Sequence, residues 1–352
     1  MHNSLHNPSA HRLDIREYNA LVVYNSGAER FQCSHQFHHS AHPATSTTAN
    51  LQHSKSRISH MAYQNIAIAG ATGSLGPSIT RALIDAGFNV TALSLSGKTD
   101  SLPTQIKTVK VDYSSHEALV KILTGHDALI SLIPTPWEQP ALVDAAIAAG
   151  VKFFIPSEFG ADITGNAHAA ALPLAKGKPE TLDYLRSHRD QISYVSIVTG
   201  LFFDWALQNS FLASLEGGLT RVFDGGDLPV ATTTYADIAK TIVAALENPE
   251  AFKNRPVYLR SATVTQNQLL AIAQKKKPGV QFEREDVRTA DIERDASERL
   301  AKGDMSAMLG FVAAAVFNPI YGSTKSAEDD NKLVGIKEMT PEQVEAFVER
   351  FM

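Results

Sequence analysis

Residues 65–76 read NIAIAGATGSLG, and this run constrains the chain more than any other. A short apolar strand, Asn65 to Ala69, enters a turn with glycines at Gly70, Gly73 and Gly76. Pro77 follows, and proline suits the first turn of a helix because the N–H groups there lack intrahelical partners. Glycines at a strand-to-helix turn let the backbone bend sharply and approach a pyrophosphate, whose charge then sits against the helix N-terminus. The spacing Gly-x-x-Gly-x-x-Gly differs from the common Gly-x-Gly-x-x-Gly. Its position between strand and helix in the first βαβ unit is what gives it weight. The same glycines would also serve a plain tight turn.

The pattern continues as short apolar runs alternating with helices. Strands are expected at Asn89–Ser94, Thr108–Asp112, Ala128–Ile133 and Phe153–Pro156, with helices at Ser115–Thr124 and Pro140–Ala149 between them. This alternation predicts an α/β fold, a doubly wound parallel sheet with helices on both faces and ligands beyond the carboxyl ends of the strands.

The sixty residues before this unit read differently. They hold nine of the thirteen histidines (His2, His6, His11, His35, His38, His39, His42, His53 and His60), much Ser, Thr and Asn, and one short apolar patch at Leu21–Tyr24. Neither helical nor strand periodicity is sustained, so residues 1–60 are expected to be a disordered leader. The spacing of His35, His38, His39 and His42 would suit a metal on a helix, but nothing there fixes a helix or supplies a second shell. No metal is expected. The leader lacks the apolar core of a secretory signal, and Asp14, Glu17 and Glu29 argue against a transit peptide. Met61, four residues before the first strand, is a natural alternative start.

Composition narrows the function further. Lys+Arg 32 against Asp+Glu 37 leaves a formal charge of −5, which disfavours nucleic acid as a partner. The single Cys33 excludes an internal disulfide framework and a cysteine-built zinc site. The longest uncharged apolar run, Ala307 to Phe317, is too short to span a bilayer. A cytoplasmic protein acting on a small molecule is the expectation.

The end of the second strand bears on cofactor choice. An acid there would bind the adenosine ribose 2′-hydroxyl and favour NAD. The chain instead has Ser94-Leu95-Ser96-Gly97-Lys98, with no acid before Asp100. Lys98 is suited to a 2′-phosphate and so to NADP, or is a solvated surface lysine. A P-loop reading of Gly97-Lys98-Thr99 fails because its first glycine would fall on Ala92. Tyr321 and Lys325 match a Tyr-x-x-x-Lys pair but lie in a Gly/Pro-bearing loop far downstream, which makes the match fortuitous. Lys178 is the better proton donor. It stands at the N-terminal edge of a helix starting around Pro179, where the helix dipole disfavours its charged form. Spacing alone does not separate that role from an exposed lysine on a polar helix.

Four segments carry a family resemblance: GATGSLG at 70–76, FFIPSEFG at 153–160, KPETLDYL at 178–185, and FDGGD at 223–227 leading to YADI at 235–238. The chain resembles the NmrA-like group of atypical short-chain dehydrogenases and, within it, the isoflavone reductase-like proteins. The resemblance covers about residues 63 to 352, and Pro-Ser-Glu-Phe-Gly is its most specific part. It implies an NADPH-dependent reductase with a Rossmann domain over 61–200, whose last elements extend past 200, and a smaller C-terminal α+β substrate lobe with a closing helix over 201–352. It also implies Lys178 as the catalytic lysine, with Lys176 as its neighbour should the register slip. The family's adenine and phosphate contacts fall on Thr72, Ser74, Leu75 and Asp112, beside the cofactor residues Gly70, Gly73, Gly76 and Lys98 already read from the glycine turn and the end of the second strand. Pro156 to Phe159, with Pro156, Ser157 and Phe159 as cofactor contacts, and Thr199 to Phe202 fall near the nicotinamide. Many members carry an arginine for the 2′-phosphate where this chain has Leu95. The substrate implied is a small aromatic or polyketide-type compound of secondary metabolism. The group also contains dinucleotide-binding regulators, so a non-catalytic redox sensor is the alternative.

In the lobe, Leu201–Trp205 and Phe311–Phe317 offer apolar surface for a flat ligand, or ordinary core. The charged stretch Glu283 to Lys302 is expected to form one solvated amphipathic helix. Thr340-Pro-Glu-Gln343 has the pattern of a capping box, so a closing helix is expected over 341–351.

Overall fold

The apolar run after residue 64 forms β1 (Asn65–Ala69), whose four inner residues are buried. Five further strands follow along the chain: β2 (Asn89–Ser94), β3 (Lys107–Lys110), β4 (Ala128–Ser131), β5 (Phe153–Ile155) and β6 (Ser193–Val198). Between them run α1 (Gly76–Asp85), α2 (His116–Leu123), α3 (Gln139–Ala148), α4 (Ala167–Ala171) and α5 (Lys178–Ser187). The computed structural model describes residues 62–95, 97, 101–135, 138–322 and 328–352. The leader at 1–60, Met61, Lys98, Asp100 and Lys325 lie outside the described residues.

Beyond β6 come β7 (Leu201–Phe202), α6 (Phe203–Gln208), β8 (Gly218–Phe223), β9 (Val230–Thr233), α7 (Tyr235–Glu247), α8 (Pro249–Phe252) and β10 (Arg255–Tyr258). The chain then forms β11 (Ala262–Val264), α9 (Gln266–Lys276), β12 (Phe282–Val287), α10 (Thr289–Ala301), α11 (Met308–Phe317), α12 (Glu328–Val334) and α13 (Pro341–Glu349). The main sheet has seven strands in the order β10-β6-β5-β4-β1-β2-β3. Every pairing in it is parallel.

Side chains alternate across a strand, so a sheet covered on both faces needs apolar residues at consecutive positions. That is what β1 supplies. Ile66 and Ile68 pack with Ile79 and Leu83 of α1 and with Ile238 and Ile242 of α7. Ala67 and Ala69 face the opposite layer, with Leu119 of α2, Leu142 of α3 and Leu182 of α5. The strand order reverses between β1 and β4, which opens a crevice at their carboxyl ends.

The segment from α7 to β10 lies well past residue 200 yet returns to this sheet, where β10 pairs with β6 from Arg255↔Val195 to Tyr258↔Val198. A second apolar cluster joins Leu201, Phe203, Phe223, Phe317 and Phe347. Its rings stack, Phe223 on Phe317 at 4.5 Å and Phe203 on Phe347 at 4.9 Å.

The stretch expected to be one helix from Glu283 to Lys302 is instead β12 followed by α10. β12 pairs in parallel with β8, from Phe282↔Gly218 to Val287↔Phe223. Residues Glu283 to Asp286 are exposed along it, so four consecutive charges are tolerated and no buried face marks the strand in sequence. α10 begins where Asp224 accepts hydrogen bonds from Thr289 N at 3.2 Å and Thr289 Oγ1 at 2.5 Å. The closing helix α13 carries its capping box, with Thr340 and Gln343 bonding each other's backbone N–H, and ends at Glu349. Among the described residues no helix is long and apolar enough to cross a membrane.

Candidate active site

The turn after β1 leaves the sheet at the crevice. Gly70 has φ +81°, and a Cβ there would stand 2.8 Å from the carbonyl oxygen of Leu132, just beyond β4. Two hydrogen bonds shape the turn, Gly73 N to Gly70 O and Gly76 N to Gly73 O, both 3.1 Å. Thr72, Gly73 and Ser74 are exposed, whereas Leu75 is 7% exposed and packs in the core. Leu75 therefore offers a ligand only its backbone. α1 starts with no side-chain cap and no acid in its first turn, so no anion of that turn competes for its positive dipole end.

Neighbouring elements pin this turn. Tyr113, three residues past β3, donates to Leu93 O at 3.3 Å and accepts from Gly70 N–H. Burial pushes its phenol well above the ordinary value. Tyr235, the first residue of α7, buries its hydroxyl beside Ser74, and burial pushes that phenol up to about 12. At the rim, Asp112 is exposed and accepts from Ser114 N at 2.9 Å and Ser114 Oγ at 2.7 Å. Those bonds hold its carboxyl below the usual range. At the end of β2, Gly97 N donates to Ser94 Oγ at 3.0 Å and Leu95 is exposed, and no acid stands at that strand end among the described residues.

The second half of the site follows β5, two strands from β1 on the same edge of the sheet. Pro156 is buried, and Ser157 and Phe159 are half-buried. Gln139, fully buried at the start of α3, accepts from Ser157 N at 2.7 Å through Oε1. Gly177 takes φ +86° and turns the chain into α5, which puts Lys178 at its first position. The Lys178 ammonium donates to the Glu158 carbonyl oxygen at 3.4 Å. Lys178 is half-buried and Lys176 exposed. The Glu158 side chain is 2% exposed, and burial pushes its carboxyl up to about 7 against the pull of the Lys178 ammonium. Among the described residues no group of three or more His, Cys, Asp or Glu side chains is placed to hold a metal ion.

A family model described as the NmrA-like family matches residues 62–347. The chain belongs to the NmrA-like family. An oxidoreductase of Aspergillus flavus named aprR is 32% identical over 244 residues, covering 68% of this chain and 82% of that protein. Isoflavone reductase homolog P3 of Arabidopsis thaliana is 28% identical over 60% of this chain and 74% of its own length. A solved structure described as AtPrR2 with NADP+ and (+)pinoresinol superposes with a TM-score of 0.67 at 23% identity. It covers 82% of this chain and 99% of that one, and the likeness is one of fold. The protein is an oxidoreductase of this NmrA-like family.

Two residues that shape this NmrA-like site carried no role in the sequence: Tyr113 and Gln139. A polar residue opening the mostly apolar α3 was the available signal for Gln139. The aromatics from Phe202 onward resolve differently. Phe203, Phe311 and Phe317 are 0%, 3% and 2% exposed and are core, while Phe202 stays half-buried and edge-on to Tyr235 at 5.7 Å. Tyr321 donates to Glu293 at 2.6 Å, a structural bond far down the chain from the glycine turn.

The Glu158 carboxyl makes stability depend on pH. Its value rises from 4.5 to about 7 on folding, so the unfolded chain releases this proton first. Relative stability is full below about pH 4.5 and is lost as pH rises to about 7. Glu158→Gln, uncharged throughout, should therefore gain on the native protein across that window, by on the order of 3 kcal/mol. Denaturant unfolding across a pH series checks this, and a difference independent of pH would refute it.

Proposed function

We propose that the protein is an NADPH-dependent reductase of a small oxygenated aromatic or polyketide-type metabolite, with Lys178 as proton donor. The observation that carries this reading is the half-buried Lys178 ammonium, tethered to the Glu158 carbonyl on the sheet edge that also carries the glycine turn. The groups present suit a dinucleotide. Gly70, Thr72, Gly73, Ser74, the backbone of Leu75, and Gly76 would hold the diphosphate against α1. Asp112 and Lys98 would meet the adenosine end, and Pro156, Ser157 and Phe159 the nicotinamide end. When bound, NADPH supplies the hydride. Lys178 donates a proton to the substrate oxygen as negative charge develops on it, while the lobe from about residue 201 selects the substrate and excludes water. The NADP+ and pinoresinol of AtPrR2, together with the isoflavone reductase homologs, support the cofactor and substrate class and a role in secondary metabolism.

The test is consumption of NADPH by the purified protein against oxygenated aromatics and polyketides, with calorimetry for both dinucleotides. NADPH is expected to bind more tightly than NADH, because among the described residues no acid at the end of β2 repels a 2′-phosphate. Equal or tighter NADH binding removes that preference, and unchanged NADPH affinity in Lys98→Ala removes the part given to Lys98. NADPH binding without turnover of any compound would favour the sensor over the reductase.

A further inference from the structure

The segment from Pro156 to Gly160 is held from several sides. Gln139 Oε1 takes the Ser157 N–H at 2.7 Å, and Glu158 N donates to Pro156 O at 2.8 Å. Gly160 bridges to Val198, and its carbonyl accepts from Thr199 N at 3.2 Å and Gly200 N at 3.0 Å. This frame fixes the Glu158 side chain inside the protein, where Oε1 is buried without a hydrogen-bond partner. A buried carboxyl oxygen without a partner is costly, above all when the carboxyl is ionised.

Its electrostatic neighbour is Lys178, the residue whose charge acts on the carboxyl and whose ammonium bonds the Glu158 carbonyl. Acids on adjoining elements are engaged elsewhere. Glu138 accepts from Thr135 Oγ1 at 2.5 Å, and Asp144 from Tyr184. Asp162 accepts from Thr164 N at 3.2 Å and Gly165 N at 2.8 Å.

We propose that the buried carboxyl of Glu158 governs how readily Lys178 gives up its proton. Ionised, it holds the ammonium; neutral, it leaves Lys178 a stronger acid. Glu158 is thus a positioning residue that acts through Lys178, and the inference rests on the reductase reading. In the step itself the hydride passes from NADPH to the substrate carbon, and the proton on the new hydroxyl comes from Lys178 Nζ. Water then returns a proton to the amine. Glu158 transfers none. Because burial brings its carboxyl to about 7, the change of charge falls at neutral pH, far below the range in which a lysine ordinarily titrates.

The sign follows directly. Raising pH through neutrality ionises Glu158, strengthens its hold on the ammonium and slows proton donation. The kcat of the native enzyme should fall about tenfold between about pH 6 and about pH 8.5, while Glu158→Gln stays within about twofold over that range. A native profile without this fall, or the same fall in Glu158→Gln, would overturn the proposal. A second readout needs no turnover: NMR of protein carrying ¹³C at lysine Cε, with the Lys178 signal assigned by its loss in Lys178→Arg. The native signal should show a step near neutral pH that Glu158→Gln lacks. If the step appears but no compound is reduced, the coupling stands and the reductase reading fails. If reduction occurs without the step, the coupling fails. Should Glu158→Gln not fold, the presence or absence of the step in the native protein decides.

Discussion

Lys178→Ala is expected to lower kcat by roughly 10²–10⁴-fold, the contribution of a positioned general acid, while NADPH affinity stays near that of the native protein. The two effects separate because the residue and the phosphate site lie on different elements. Lys178 opens α5 after β5, whereas the diphosphate would rest on the turn between β1 and α1. Removing the side chain deletes one bond, to the Glu158 carbonyl at 3.4 Å, and leaves the turn's own hydrogen bonds untouched. Lys178→Arg should not restore turnover, since a guanidinium stays protonated at neutral pH and is a poor donor. Lys176→Ala should be mild, because that side chain is exposed and precedes the helix. Steady-state kinetics with calorimetry for NADPH separate these outcomes, and turnover like the native enzyme's in Lys178→Ala would defeat the mechanism.

Gly76→Ala should be the most damaging change in the glycine turn. An added Cβ would stand 1.9 Å from the Ala71 carbonyl oxygen and 2.4 Å from its carbon. Both are backbone atoms of a residue 1% exposed, so neither can swing away. The turn must open or α1 must shift, and about 3–5 kcal/mol of stability should be lost together with NADPH binding. Gly73→Ala is the control. Its Cβ would meet Gly70 O at 3.4 Å, near ordinary contact, and the position faces solvent. It should keep the fold and lose affinity only as far as the methyl group crowds the diphosphate. Denaturant unfolding and calorimetry on both variants decide, and native-like stability in Gly76→Ala would show that the turn is more pliant than its contacts imply.

What was legible in the sequence lies within reach of a few residues along the chain. β1, the glycine turn and Pro77 announce one another because strand, turn and helix start are local preferences of adjacent backbone. The same holds for the alternation through β5, for the helix expected from Ser115 and for the Thr340 capping box. Lys178 was legible at the N-terminal edge of a helix because Pro179 marks a helix start; the helix in fact begins at Lys178 itself, after Gly177 at φ +86°. The tertiary structure decided what depends on distant partners. Only folding brings β10 beside β6, sets Phe282 against Gly218, and stacks Phe223 on Phe317 and Phe203 on Phe347 in one core. It also decided the fate of one carboxyl. In sequence Glu158 is an acid in a motif; in the fold its neighbours Ser157 and Gly160 are tied to Gln139 and Val198, its carbonyl accepts from the Lys178 ammonium, and burial pushes its carboxyl up to about 7. Desolvation is a property of the atoms packed around a group, and those atoms come from residues that no local pattern connects.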